Sequence, residues 1–150
     1  MARRRDDRQG TTRVRRTSVL AWLRLARAFQ KIDRASAEHL RGWNLSVAQF
    51  DTLAQLGTAE GITQQELADR LLVTKGNVSQ LLDRLERRGL VRRCQDGRAT
   101  HLFLTDAGRR LFAAAVPTQE GLIDRRLAAL SPEEQRQLLA LLRKLDRASR

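Results

Sequence analysis

Residues 63–105 read TQQELADRLLVTKGNVSQLLDRLERRGLVRRCQDGRATHLFLT, and this stretch decides the fold. It opens with Thr63 and Glu66 at the spacing of a capping box, in which a hydroxyl and a carboxylate satisfy the free amides of a helix start. The short helix that follows ends in a turn at 72–74. A second helix runs from there to Gly89, which supplies a left-handed stop.

A hairpin is predicted directly after these two helices. Residues 90–94 and 100–105 are rich in β-forming side chains, and the connection 95–98 contains Asp-Gly, a strong hairpin signal. Two short helices, a tight turn and an attached two-stranded ribbon predict a winged helix-turn-helix.

The second helix of this unit has two different faces. Apolar residues recur at i, i+3, i+4 and i+7 and are predicted to be buried: Val78, Leu81, Leu82 and Leu85. The opposite face would meet a DNA major groove, where Lys and Arg donate to guanine, and Asn and Gln pair with adenine. It holds Gly76, Ser79, Gln80, Asp83, Arg84 and Arg87, with Lys75 and Asn77 at its edges. A merely solvated helix face is the alternative, and the turn and the hairpin argue against it.

The remaining elements are predicted to be helices. They are a first helix over 17–41, a second that Ser46 caps, a fifth that Asp106 caps and Pro117 bends or interrupts, and a last that begins at Ser131 and carries Leu138, Leu141, Leu142 and Leu145. The leucine stripe would be an exposed apolar patch in a monomer, which favours burial against a partner. The sequence therefore predicts a mainly α-helical fold with a small β-hairpin wing.

The charge balance indicates a polyanionic partner. Lys and Arg total 29 against 17 Asp and Glu, which gives a net charge of +12, and 26 of the basic residues are Arg. Residues 70–98 hold eight basic and three acidic side chains, so the helix-turn-helix would attract phosphates. Residues 1–16 carry seven Arg and almost no apolar side chains, and we expect a disordered basic arm.

Several classes of protein are disfavoured. We expect no membrane span, because no apolar run approaches about 20 residues, and no secretory signal, so a cytoplasmic protein is predicted. The single Cys and two His lack zinc spacing, and the chain lacks a Gly-rich phosphate loop or a catalytic constellation. We therefore expect no metal, no cofactor and no enzymatic activity.

Six stretches together resemble the MarR (multiple-antibiotic-resistance) family of winged-helix regulators. They are Phe50 to Leu56, Thr63 to Ala68, Val73 to Ser79, Leu82 to Val91, Asp96-Gly-Arg98 and Leu104-Thr-Asp-Ala-Gly108, and the resemblance spans about residues 17–148. It implies a homodimer held by its first and last helices, with one recognition helix of each subunit in successive major grooves of a palindromic site. A repressor is the most frequent kind of regulator in this family.

The resemblance also assigns regions and residues to this function. It implies a dimerisation helix at 17–45, a DNA-binding winged helix-turn-helix at 46–105 and dimerisation helices at 106–150. The residues predicted to contact double-stranded DNA are Thr74, Lys75, Gly76, Asn77, Ser79, Gln80, Arg84 and Arg98.

The wing departs from the family pattern. The family usually has Asp-Arg-Arg at the hairpin tip, whereas Gly97 replaces the first arginine here and the hairpin is shorter. Arg98 matches the second arginine, and either minor-groove insertion or an ion pair with Asp96 is open to it. The basic arm either contacts DNA in its place or only aids solubility.

Regulation by a ligand or an oxidant is a further hypothesis. Family members often release DNA when a small aromatic or anionic effector binds, and the residues predicted to line such a pocket are Trp22, Phe29, His39, Trp43 and Phe50. Core packing is the alternative for each aromatic side chain, and an interface hydrogen bond is the alternative for His39. Cys94 lies near several arginines, which would favour a reactive thiolate, but a strand residue can also point inward.

Two rival functions remain at this point. Charge alone gives sequence-independent affinity, so a non-specific nucleic-acid architectural protein is the first. The neutral side chains of Asn77, Ser79 and Gln80, which suit base reading, argue against it. A winged helix that binds protein instead of DNA is the second.

Overall fold

A computed structural model of the chain describes residues 16–149, so the predicted arm at 1–16 lies almost wholly outside the described residues. The elements are α1 (Thr17–Leu40), a 3-10 turn (Arg41–Trp43), α2 (Val47–Thr58), α3 (Gln64–Leu71), α4 (Lys75–Arg87), β1 (Val91–Asp96), β2 (Ala99–Leu104), α5 (Asp106–Leu127) and α6 (Pro132–Ala148). This order is the predicted winged helix-turn-helix. None of these helices is long and apolar enough to cross a membrane.

The chain divides into two compact units at residue 31. The described part of the first is the N-terminal portion of α1, whose Trp22 and Phe29 side chains are exposed. The second unit contains everything from Ile32 onward. Its core is a leucine-rich cluster from α2, α3, α4 and the hairpin, with side chains that include Leu53, Leu56, Leu67, Leu82, Leu85, Leu102 and Leu104.

The helix-turn-helix begins and ends as its sequence predicts. The Thr63 hydroxyl accepts the amide of Glu66, and the Glu66 carboxylate accepts the Thr63 amide at 2.6 Å, so the capping box is confirmed. Leu72 ends α3 with a left-handed φ of 53°, and its side chain is 90% exposed. Thr74 then caps α4 by accepting the amide of Asn77.

The wing is a tighter hairpin than predicted. Its strands pair from Val91↔Leu104 to Asp96↔Ala99, so only Gly97 and Arg98 form the turn, whereas the sequence suggested a four-residue connection. Gly97 has a φ of 57°, and this left-handed conformation allows the chain to reverse within two residues. The strand boundaries predicted at 90–94 and 100–105 were therefore wrong by one or two residues.

The structure of α5 differs from its prediction at the N-terminal cap and at Pro117. Thr105, not Asp106, is the cap, because its hydroxyl accepts the Gly108 amide at 3.0 Å. Pro117 lies inside α5 without interrupting it. Proline removes one helical donor, and the carbonyl that loses its partner belongs to Ala113, an exposed residue that water can reach.

Two hydrogen bonds join α5 to the last turns of α1. The amide of Gln119 donates to the hydroxyl of Ser36 at 2.8 Å in a buried position. One turn away, His39 Nε2 lies 3.0 Å from the hydroxyl of Thr118. A hydrogen bond of this kind was the alternative to a ligand-pocket role for His39.

Gly108 allows α5 to approach the start of the hairpin. A Cβ at this position would overlap the carbonyl oxygen of Leu90 and lie 3.0 Å from its carbonyl carbon, both backbone atoms that cannot rotate away. The amide of Thr105 donates to the same carbonyl at 3.1 Å. Position 108 therefore requires glycine for steric reasons.

We expect Gly108→Ala to lower the free energy of unfolding by about 1–3 kcal/mol or more, because overpacking against backbone forces the helix to shift. Urea unfolding at fixed protein concentration measures this change. Gly121→Ala in the same helix is the control, since its new methyl group would meet only the end of the Arg125 side chain at 3.5 Å. The control is expected to gain up to about 1 kcal/mol, and equal losses in both variants would contradict the steric argument.

Candidate nucleic-acid interface

The polar face of α4 is open to solvent. Val78, Leu82 and Leu85 are completely buried, which fixes the rotation of the helix, while Leu81 is half-buried. The exposed residues that the sequence singled out are Thr74, Lys75, Gly76, Asn77, Gln80 and Arg84. Ser79 is half-buried at the edge of this face. The structure thus brings seven of the eight predicted contact residues together on α4 and its cap.

Arg93 of β1 is the residue of this region that sequence analysis missed. Its guanidinium donates to Asp83 at 2.7 Å, to Glu86 at 3.2 Å and to the main-chain carbonyl of Ser79 at 3.0 Å. The Arg93 amide also donates to Glu86 at 3.2 Å. The Arg93 side chain is 23% exposed, whereas those of Asp83 and Glu86 are 51% and 41% exposed, so the ion pairs stay partly open to water. We call Arg93, Asp83 and Glu86 the wing–helix ion cluster.

The wing–helix ion cluster changes the electrostatics of α4. Asp83 and Glu86 would repel a phosphate backbone, and the Arg93 guanidinium, which pairs with both carboxylates, offsets one of their two negative charges. Among the described residues, Lys75 and Arg84 form no ion pair, so their charges remain available. A strand alternates its faces, which places Arg93 on the same side as buried Val91, and this is the signal that could have identified it.

The outer face of the wing carries a second arginine contact. The Arg92 guanidinium lies 4.5 Å from the centre of the Phe103 ring and donates to Cys94 Sγ at 2.9 Å. Cys94 is half-buried and faces His101 across the hairpin. His101 Nδ1 lies 2.8 Å from the Gly61 carbonyl, an acceptor, so this nitrogen carries the proton.

Arg98 occupies the hairpin turn, and its side chain is exposed. Within residues 16–149 it forms no ion pair with Asp96 or with another carboxylate. Arg98 instead borders a cleft that Lys75 also lines. The ion pair with Asp96, which was one of the two alternatives for Arg98, thus has no contact to support it among the described residues.

The residues suggested for a ligand pocket are in different settings. Phe50 packs on Phe112 with ring centres 5.9 Å apart, and Trp43 is half-buried against the core. His39 pairs with Thr118, and Trp22 and Phe29 are exposed in the N-terminal unit. The pocket stays a prediction.

A cleft of about 480 Å³ lies behind α4, between that helix, the turn before it and α2. Its lining includes Asn77, Gln80 and Arg84 of α4 together with Asp33 and Asp51. The Asp51 residue is exposed, but partial desolvation by its neighbours, and then the charge of Asp33, raise the pKa of its carboxyl above its ordinary value. Asp51 is therefore a destabilising charge near the interface at neutral pH.

Comparisons with known proteins agree with this geometry. Residues 43–99 match the model of the MarR family. An uncharacterized HTH-type transcriptional regulator from Bacillus cereus is 37% identical over 134 residues, covering 87% of this chain and 89% of its own. The structure of a MarR mutant from E. coli complexed with operator DNA is 28% identical and has a TM-score of 0.77, covering 85% of this chain and 95% of its own. The S. aureus MepR–DNA complex is 27% identical and also has a TM-score of 0.77, covering 91% and 99%.

We expect Asp51→Asn to stabilise the protein at pH 7. A carboxyl whose folded pKa is raised contributes its full stability below the unfolded value, near 3.8, and that contribution is lost as the pH rises through the folded pKa. Thermal unfolding at pH 7 and pH 3 measures the difference, with a higher Tm for the variant at pH 7 alone. Asp124→Asn, at an exposed carboxyl that does not line this cleft, is the control. A gain of the same size at both pH values would show that the charge of Asp51 is not the cause.

Proposed function

The chain belongs to the MarR family of DNA-binding transcriptional regulators, and we propose that it is a sequence-specific repressor that binds a palindromic promoter site as a homodimer. The observation that supports sequence reading is the exposed face of α4, which combines neutral hydrogen-bonding side chains with cations. Asn77 and Gln80 can each pair bidentately with adenine, whereas cations alone would bind any sequence. We place its action in the cytoplasm, and we propose no enzymatic activity.

The roles of the individual side chains follow from their positions. Asn77, Gln80 and Ser79 contact base edges, while Lys75 and Arg84 bind backbone phosphates. Thr74 and Gly76 lie at the N-terminal end of α4, where main-chain amides can also meet a phosphate. The buried stripe of α4 fixes the direction in which these groups point, which supports a single docking orientation.

Exposed apolar side chains support dimerisation. On α6 they are Leu139, Leu141, Leu142 and Leu145, which are 37–65% exposed, and on α1 they include Trp22 and Leu23 at 63% and 51%. Such patches on a small protein favour burial against a second copy. We propose that residues 17–45 and 106–150 form the dimer interface and that residues 46–105 bind DNA, with half-sites about one helical turn apart.

We also propose that a small aromatic or anionic effector releases the DNA. Such an effector acts by binding more tightly to a dimer whose recognition helices are misplaced, so it shifts the population towards that state. Two exposed aromatic side chains, Trp22 and Phe29, are available for stacking on it.

Sequence-specific binding is tested with the duplex that lies upstream of the protein's own gene. We expect the complex to survive a large excess of random-sequence duplex across a salt series. Gln80→Ala is expected to reduce the preference for the upstream duplex by about 1–3 kcal/mol, and Gln137→Ala on α6 should leave it unchanged. Sedimentation of the protein without DNA should give twice the 17.1 kDa chain mass.

The other outcomes of this experiment identify the rival functions. Equal competition by random DNA would support an architectural protein that binds any sequence. Failure to bind either duplex would support a winged helix that recognises protein.

The wing–helix ion cluster gives a second test. We expect Arg93→Met to weaken binding to upstream and random duplexes alike, on the order of tenfold, or about 1.4 kcal/mol, because Asp83 and Glu86 then repel phosphates. Adding Asp83→Asn and Glu86→Gln to that variant should restore most of the affinity, as measured by fluorescence anisotropy. If the neutralised triple variant binds as weakly as Arg93→Met, Arg93 acts only through the position of the wing.

A further inference from the structure

A cleft of about 340 Å³ separates the start of α3 from the tip of the wing. Its lining comes from three elements: Thr63, Gln64 and Gln65 of the α3 start, Lys75 at the start of α4, and Arg98, Ala99 and Thr100 of the hairpin. The cleft is thus larger than the site of a single water molecule. We call it the wing cleft.

The two walls of the wing cleft are joined by main-chain hydrogen bonds. Leu102 of β2 donates its amide to the Ile62 carbonyl at 2.9 Å and accepts the Gly61 amide at 2.8 Å. An antiparallel bridge between Thr63 and His101 continues this pairing to the first residue of the cleft. These main-chain bonds therefore hold the hairpin against the loop that leads into α3.

The hairpin turn at the rim is also braced. The Gln95 amide donates to the Gly97 carbonyl at 3.0 Å, and the Thr100 hydroxyl donates to the Gln95 side-chain oxygen at 2.9 Å. These bonds fix the backbone on both sides of Arg98. The backbone position from which the Arg98 side chain extends is thus fixed beside the cleft.

The charge inside the wing cleft is positive. Lys75 and Arg98 reach it from different elements, and within the described chain neither has an ion-pair partner. Glu66 is the nearby carboxylate, but it accepts both the amide and the hydroxyl of Thr63 and so is engaged in the capping box. Two cations without ion-pair partners that line one cleft attract an anion to it.

We propose that the wing cleft holds one backbone phosphate of the bound DNA, clamped between Lys75 and Arg98. The proposal rests on the proposed function for its partner, DNA, and it assigns Arg98 to the sugar–phosphate backbone instead of the minor groove. Only Gly97 and Arg98 extend beyond the last strand pair, and Arg98 lines the cleft from this turn. The wing of this protein therefore binds the sugar–phosphate backbone of the DNA and does not read the base sequence.

The test compares wild type with Arg98→Ala and Lys75→Ala, and with Arg110→Ala of α5, which removes the same charge from an exposed position elsewhere. Binding by fluorescence anisotropy is measured from 0.05 to 0.3 M salt, on the duplex upstream of the gene and on a random duplex. Versions of the upstream duplex carry A·T-rich or G·C-rich flanks. A further set carries one neutral methylphosphonate at each successive phosphate.

We expect Arg98→Ala to make the plot of log affinity against log salt shallower by about 0.9, the slope of one phosphate contact, and to weaken binding roughly 5- to 10-fold at 0.1 M salt on every duplex. One methylphosphonate should weaken wild type by a similar factor yet leave the affinities of Arg98→Ala and Lys75→Ala nearly unchanged. Arg110→Ala should retain the wild-type sensitivity to that methylphosphonate. Circular dichroism should show the same Tm for all variants.

Other results overturn the clamp. If Arg98→Ala loses a preference for A·T-rich flanks that wild type shows, Arg98 reads the minor groove. If every methylphosphonate affects Arg98→Ala as it affects wild type, Arg98 contacts no phosphate. Equal binding of the upstream and random duplexes by wild type defeats sequence-specific recognition but leaves the clamp testable on random DNA, so the two failures are distinguishable.

Discussion

Leu102 is the point at which the hairpin, the loop before α3 and the core meet. Its amide and carbonyl pair with Ile62 and Gly61, its side chain is completely buried, and it lies opposite Arg93 in the strand register. A two-stranded hairpin alone is at best marginally stable in water. The added main-chain pairing and the buried leucine make the wing part of the same cooperative unit as the helix-turn-helix.

The interface face of this unit is organised by charge as well as by packing. The protein has many arginines, and the structure uses them differently. Arg93 forms ion pairs with two carboxylates of α4. Arg92 is stacked on Phe103, and Arg88 donates to the carbonyl of Asn44 at 2.6 Å. Lys75, Arg84 and Arg98 are left at the surface that would meet DNA. Net charge therefore describes long-range attraction to a polyanion, whereas the placement of compensated and uncompensated cations decides where a phosphate can sit.

The sequence predicted those features that depend on neighbours along the chain. The capping box of Thr63 and Glu66, the buried stripe of α4 and the existence of a hairpin rest on contacts within about seven residues, so their patterns are visible in one dimension. Thr105 and Asp106 are both good capping residues, and sequence alone chose the wrong one. Local rules also overstated the effect of Pro117, since they could not show that the orphaned carbonyl would be open to water.

The features that the sequence did not predict depend on long-range geometry. Strand alternation could have marked Arg93 as inward-facing, but its three acceptors on α4 could be named only when the hairpin was placed against that helix. The close approach of Gly108 to Leu90 and the bond between Ser36 and Gln119 likewise join separate elements. Arg98 illustrates the same limit, since the sequence left two roles open and the cleft that it borders exists only in the folded chain.

The contact at Gly108 has a mechanical consequence. At this contact the backbone of α5 meets the backbone of Leu90, just before β1, so no side chain lies between Gly108 and Leu90 that could rearrange to absorb a displacement. The Thr105 amide and hydroxyl tie the same junction to Leu90 and Gly89. We therefore expect a rotation of α5 to move the start of the wing with it.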